Sequence, residues 1–135
     1  MKPAFAIHGH FYQPPRKDPF TKNMPTAQKS GQSDWNTIIN EQCYKPNAQI
    51  GNFSLMTFDL YRSLAEWLQE NDPQTYQIIV DSDKQKYTAN GLVTAFGGSW
   101  DHAILPLLTK EDLALEIYWG NADYLNRFNH SPVGF

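Results

Sequence analysis

Apolar positions come in short blocks along this chain, and the spacing changes from block to block. Ala4-Phe5-Ala6-Ile7-His8 is a brief apolar run without helical period, which predicts a strand buried on both faces, as in a parallel sheet. From Gln13 to Ser33 the chain is polar and holds Pro14-Pro15, Pro19, Pro25 and Gly31, which predicts a loop. A loop of that length is usually functional or disordered. Asp34 caps a short helix with Ile38, Ile39, Gln42 and Cys43 along one face, closed by Pro46-Asn47. Asn52–Phe58 reads as a second strand with Phe53 and Leu55 on one side.

Helical spacing then takes over at Leu60, Tyr61, Leu64, Ala65 and Leu68, with Asp59 as its expected cap. Asp72-Pro73 starts the next helix, because the carboxylate accepts from free amides and proline loses nothing at the first helical position. Tyr76, Ile79 and Val80 give that helix an apolar stripe, and Asn90-Gly91 ends it. Leu92–Phe96 is the third predicted strand, followed by the loop Gly97–His102. Thr109 and Asp112 form a capping box before a helix with Ala114, Ile117, Tyr118, Leu125 and Phe128 on one face. Val133-Gly134-Phe135 reads as the start of a fourth strand. Strands alternating with helices predict one α/β domain over residues 1–135, with three βα units plus that fourth strand.

Composition narrows the class. The 135 residues carry 11 Lys+Arg against 14 Asp+Glu, a net charge of −3, and no basic block gives a footprint for nucleic acid. Cys43 is the single cysteine, so an internal disulfide is excluded and a reducing, cytoplasmic setting is expected. The apolar start is too short for a secretory signal, and no window approaches the ~20 apolar residues of a membrane helix. Neither a membrane partner nor a cofactor is implied.

Two segments put unusual polar groups at the carboxyl ends of predicted strands, where parallel α/β folds gather function. In His8-Gly9-His10-Phe11-Tyr12-Gln13-Pro14, period two sets His8 and His10 on one face, and Gly9 lets a backbone or ligand approach. Trp100-Asp101-His102 follows the third strand. Trp35 is either a platform for a sugar ring or a lid on the first helix. Cys43 reads as packing. His-x-His also matches a divalent-metal pattern, with His8, His10 and Asp101 or His102 as ligands of a metal-dependent hydrolase, amidohydrolase or deacetylase in kind. Four Trp and seven Tyr leave a third class open, a non-catalytic carbohydrate-binding or assembly module.

The run His8-Gly9-His10-Phe11-Tyr12-Gln13-Pro14-Pro15 resembles the opening motif of glycoside hydrolase family 57. Asp34-Trp35-Asn36, Cys43-Tyr44-Lys45-Pro46-Asn47, Asn52-Phe53-Ser54, His102-Ala103-Ile104-Leu105-Pro106-Leu107, Trp119-Gly120-Asn121-Ala122-Asp123 and Arg127-Phe128 continue the resemblance in order. It implies part of a (β/α)7-type barrel and retaining action on α-linked glucans, as hydrolase or glucanotransferase. The resemblance places His8 or His10 in the sugar subsite beside the cleaved bond, with Gln13, Trp35, Trp100, Asp101 and His102 as further substrate-binding candidates. The family's nucleophile, a Glu in a Trp-x-Pro-Glu-like context, and its acid/base Asp have no match in these residues. Retaining chemistry needs two carboxyl groups about 5–5.5 Å apart. The expectation is therefore an N-terminal portion that holds part of the saccharide site, has no catalytic residue of its own and is inactive alone. An unfinished parallel sheet exposes a strand edge, so a second chain completing the barrel, or self-association, is the expected partner beside the oligo- or polysaccharide.

Overall fold

The computed structural model describes residues 4–27 and 34–134. It has an α/β fold built on a small parallel sheet of three strands, β1 (His8–Phe11), β2 (Thr57–Leu60) and β3 (Ala95–Phe96), in the order β1-β2-β3. Between β1 and β2 run α1 (Trp35–Ile39), a π-helical turn at Asn40–Tyr44 and α2 (Lys45–Gln49). Between β2 and β3 run α3 (Arg62–Asn71) and α4 (Pro73–Asn90), and α5 (Lys110–Phe128) follows β3. Among the described residues no helix is long and apolar enough to cross a membrane.

Four helix signals, at Asp34, Asp72-Pro73, Gly91 and Thr109, are where the sequence put them. Asp34 accepts from the Thr37 amide at 3.0 Å, and Asp72 from the Thr75 amide at 3.1 Å with Pro73 in the first turn. Gly91 closes α4 at φ +69°, and Thr109 caps α5 by accepting from the Asp112 amide at 3.2 Å. Pro46, expected to stop the first helix, instead sits in the first turn of α2. The wider π turn just before it relieves the clash that proline makes with the preceding turn of a regular helix. Cys43 lies in that turn and packs against the core, where burial pushes its thiol pKa up.

The strands are displaced from their expected places. Ala4–Ile7 lies outside the sheet, with Phe5 88% and Ile7 58% exposed, and β1 is the His8–Phe11 motif itself. The second strand likewise starts later: Asn52–Ser54 forms a 3-10 turn that buries Phe53, while Leu55 turns outward. Asp59 is a member of β2 rather than a helix cap; Tyr61 occupies the cap position of α3 and makes no side-chain cap bond. β3 keeps two of its five expected residues. Where a fourth strand was expected, the Gly97 amide donates to the Gly134 carbonyl at 2.9 Å, and Phe135 lies outside the described residues, as do residues 28–33 of the long loop.

Register sorts the sheet into two faces. His8 stands opposite Thr57 and His10 opposite Asp59, while Gly9 and Phe11 stand opposite Phe58 and Leu60. Phe11, Phe58, Leu60 and Ala95 pack with Phe53, Leu64, Leu68, Ile79, Val80 and Phe128 in one core. The other face carries His8, His10, Thr57 and Asp59 and is open, so β1 is covered on one face and not on two. Gly9 serves the covered side: a Cβ there would meet the Phe11 ring at 2.7 Å. α5 buries Gly120, Tyr124, Arg127 and Phe128, and leaves Tyr118 and Leu125 of its expected stripe exposed.

A buried polar cluster fixes the start of β3. Asp83, fully buried on α4, accepts from the Thr94 and Ala95 amides at 2.6 and 2.7 Å. Its other oxygen meets His130 Nε2 at 2.6 Å, and His130 Nδ1 donates to the Ser131 carbonyl at 3.0 Å. Tyr87 stacks on that imidazole at 4.0 Å. Removing one member of a buried pair strands the other, which costs about 3–5 kcal/mol. Asp83→Ala is expected to lower unfolding free energy by about that amount in a urea titration, and His130→Ala to follow it; a loss under ~1 kcal/mol in both would show the cluster to be incidental.

Candidate functional site

The open face of the sheet converges on one carboxylate. Asp59 Oδ1 accepts from the Phe11 amide at 2.9 Å, and Oδ2 accepts from His10 Nδ1 at 2.8 Å. His8 Nε2 stands 3.7 Å from the same Oδ2, and its Nδ1 lies 3.0 Å from Thr57 Oγ1. His8 and His10 therefore share a face, as period two predicted. Sequence reasoning took Asp59 for a helix cap, because only the register of β2 on β1 places its side chain beneath both imidazoles.

The loop after β3 brings the third imidazole. His102 Nε2 lies 3.0 Å from His10 Nε2, with His102 stacked on Tyr12 at 4.0 Å and edge-on to Tyr61 at 4.4 Å. His102 holds a left-handed backbone, φ +58°, a conformation uncommon outside glycine. Burial, and then the neighbouring His10, push its pKa below the ordinary histidine value.

This loop is pinned from two helices. Trp100 N donates to the Glu116 carbonyl at 3.1 Å, and the Asp101 amide donates to Glu116 Oε2 at 2.9 Å. Arg62, at the start of α3, lies 4.4 Å over the Trp100 ring and pairs with Asp101. Gly120 of α5 admits the loop backbone, since a Cβ there would come within 2.1 Å of the Gly98 carbonyl oxygen.

A hollow of about 390 Å³ opens beside these groups, lined by His8, Asp59, Tyr61, Phe96, Gly97, Gly98, Ser99, Ala103 and Leu105. Asp59 is the one carboxylate in that lining. His8 borders the hollow, while His10 sits on its flank against Tyr12 and His102. Five of the seven candidate residues thus fall on one strand end and one loop, with Asp101 turned to Arg62. The other two lie elsewhere. Gln13 is buried, donating to Tyr44 Oη at 2.7 Å and accepting from Arg16 at 2.9 Å. Trp35 opens α1, 40% exposed, and the ring and hydrogen-bond contacts of the histidine group do not include it.

The model of Glycosyl hydrolase family 57 matches residues 5–135. The chain belongs to glycosyl hydrolase family 57. Searches of curated proteins and of solved structures find no match to it. The match supports a glycoside hydrolase-type domain over these residues. The metal-ligand alternative finds a different geometry: among the described residues no group of three or more His, Cys, Asp or Glu is arranged to hold an ion, and Asp101 is paired with Arg62.

The way the imidazole–carboxylate group is assembled makes two outcomes checkable. Gly120→Ala is expected to displace the Gly98 carbonyl and shift the amide signals of residues 97–102, while those of β1 stay in place; unchanged loop signals would remove α5 as its support. His102 is expected to titrate below the ordinary imidazole midpoint, and His10→Ala to raise that midpoint part of the way, because burial remains. A depressed base in the folded state favours high pH, so His102 contributes stability above the ordinary value near 6.5 and loses it as pH falls below. Imidazole proton shifts followed by NMR check both directions.

Proposed function

We propose that this chain forms one flank of the saccharide cleft of a retaining glycoside hydrolase or glucanotransferase acting on α-linked glucans. Residues 1–135 supply three βα units of a (β/α)7-type barrel in this reading. The observation that carries it is the open sheet face: His8 and Asp59 border a hollow with aromatic walls at Tyr61 and Phe96, and His10 and His102 stand on its flank. Imidazoles and a carboxylate offer donors and acceptors to ring hydroxyls, and aromatic rings offer apolar faces to the C–H side of a sugar.

The fold supports the same reading. Parallel sheets normally have both faces covered, and this one presents a polar, uncovered second face, which suits further strands closing around it. Tyr118, Trp119 and Leu125 on α5 are about half exposed or more, as apolar groups awaiting additional polypeptide would be. That polypeptide is either more of the same protein or a partner chain.

Catalysis needs more than this site holds. Asp59 is the single carboxylate lining the hollow, and it is engaged by His10 and the Phe11 amide. Asp101 is engaged by Arg62. Nucleophile and proton donor, about 5–5.5 Å apart across the scissile bond, are in this reading contributed by other residues. His8, His10 and Trp100 bind and orient the sugar, His102 covers His10 until the sugar arrives, and Gln13 holds the chain behind them through Tyr44.

Adding malto-oligosaccharides to the 135-residue chain is expected to shift the amide signals of His8, Tyr61, Phe96 and Trp100 without hydrolysis or transfer. His8→Ala is expected to weaken binding about tenfold, in line with ~1–1.5 kcal/mol for one hydrogen bond. An unchanged spectrum at high sugar concentration would refute the binding role. Turnover lost on substituting Asp59 or Asp101 would refute the assignment of catalysis to other residues.

A further inference from the structure

We propose that Asp59 is a positioning residue that fixes the tautomer of His10, so that His10 Nε2 accepts a hydrogen bond from a hydroxyl-bearing ligand. The proposal rests on the saccharide reading above only for the nature of that ligand. Asp59 is anchored by its own sheet. The Phe11 amide takes Oδ1, which leaves Oδ2 for His10 Nδ1 at 2.8 Å. The carboxylate is 13% exposed and the imidazole 52%, so the acid is held beneath the ring while the ring meets whatever arrives.

Ionised carboxylate oxygens only accept. His10 Nδ1 therefore carries a hydrogen, and in the neutral ring Nε2 presents a lone pair. His102 Nε2 holds that place at 3.0 Å. Two imidazole nitrogens so close share one proton between them, and with His10 set as acceptor, His102 donates. His102 belongs to a loop and carries a left-handed backbone, whereas His10 belongs to the sheet, so the loop residue is the one a ligand displaces. A sugar hydroxyl can donate to Nε2 in its stead. A fully ionised phosphate or carboxylate has no hydrogen to donate and brings only acceptors against a lone pair backed by Asp59. The site so built favours a hydroxyl over an ionised group at this position.

Asp59→Asn inverts the arrangement. The Phe11 amide keeps the amide oxygen, so the NH2 group faces His10 Nδ1, which must then accept. The ring hydrogen moves to Nε2 and presents a donor where an acceptor stood, the same logic by which an Asp→Asn change sets the wrong histidine tautomer in a serine protease triad.

Imidazole 15N spectra of the 135-residue chain at about pH 8.5, well above the ordinary imidazole range, read the tautomer directly. The expected result is Nδ1–H for His10 in the native chain and Nε2–H in Asp59→Asn. With it, malto-oligosaccharide affinity is expected to fall ~10–100-fold, the range that carboxylate partners of imidazoles command at metal sites. Nε2–H in the native chain, or one tautomer in both proteins with native amide spectra, overturns the proposal. If Asp59→Asn does not give a native amide spectrum, the native-chain tautomer alone decides. A flipped tautomer with unchanged sugar affinity overturns the ligand-accepting role of Nε2. The expected tautomers without sugar binding to the native chain refute the saccharide reading and leave Asp59 in its positioning role.

Discussion

The parallel register of β1 on β2 governs this protein. With His8 opposite Thr57 and His10 opposite Asp59, the period-two alternation of side chains sends Phe11, Phe58 and Leu60 to the helices and both imidazoles to the other face. A slip of β1 by one residue would exchange its faces, burying two histidines and exposing Phe11. Each buried phenylalanine contributes about 1.5–3 kcal/mol, so the core enforces the register. The register in turn puts a carboxylate under the imidazoles.

The second half of the site depends on a different support. β3 has only two residues, too few to position the loop that follows. Its start is held by Asp83 through two backbone amides, and the Gly134 carbonyl accepts from the Gly97 amide just beyond its end. His130 and Ser131 bind the same acid cluster that fixes the start, so the chain following α5 braces both ends of the strand. Arg62 and Glu116 then hold Trp100 and Asp101, and the missing side chain at Gly120 lets the loop backbone lie on α5. The site residues are displayed by polar latches on one side of the sheet and by apolar packing on the other.

Local chemistry made the helices legible: Asp34, Asp72-Pro73, Asn90-Gly91 and Thr109 act within three or four residues of themselves, and each caps as its spacing suggested. The paired faces of His8 and His10 were legible for the same reason. Strand limits were not, because a strand exists only where a partner pairs with it. Ala4–Ile7 is apolar, yet β2 pairs with the chain four residues later, where Phe11 finds Phe53 and Phe58.

Asp59, His130 and Arg62 show the same limit from the side of chemistry. Their partners lie 49, 47 and 39 residues away in sequence, and no local spacing announces them. The sequence by itself determined the α/β alternation, the helix caps at Asp34, Asp72, Gly91 and Thr109, the shared face of the two N-terminal histidines and the family motif, all properties of neighbours along the backbone. Only the tertiary structure decided which carboxylate meets those histidines, which candidates stand apart from them, and where the strands begin, because each depends on contacts that form between distant segments once the core has closed.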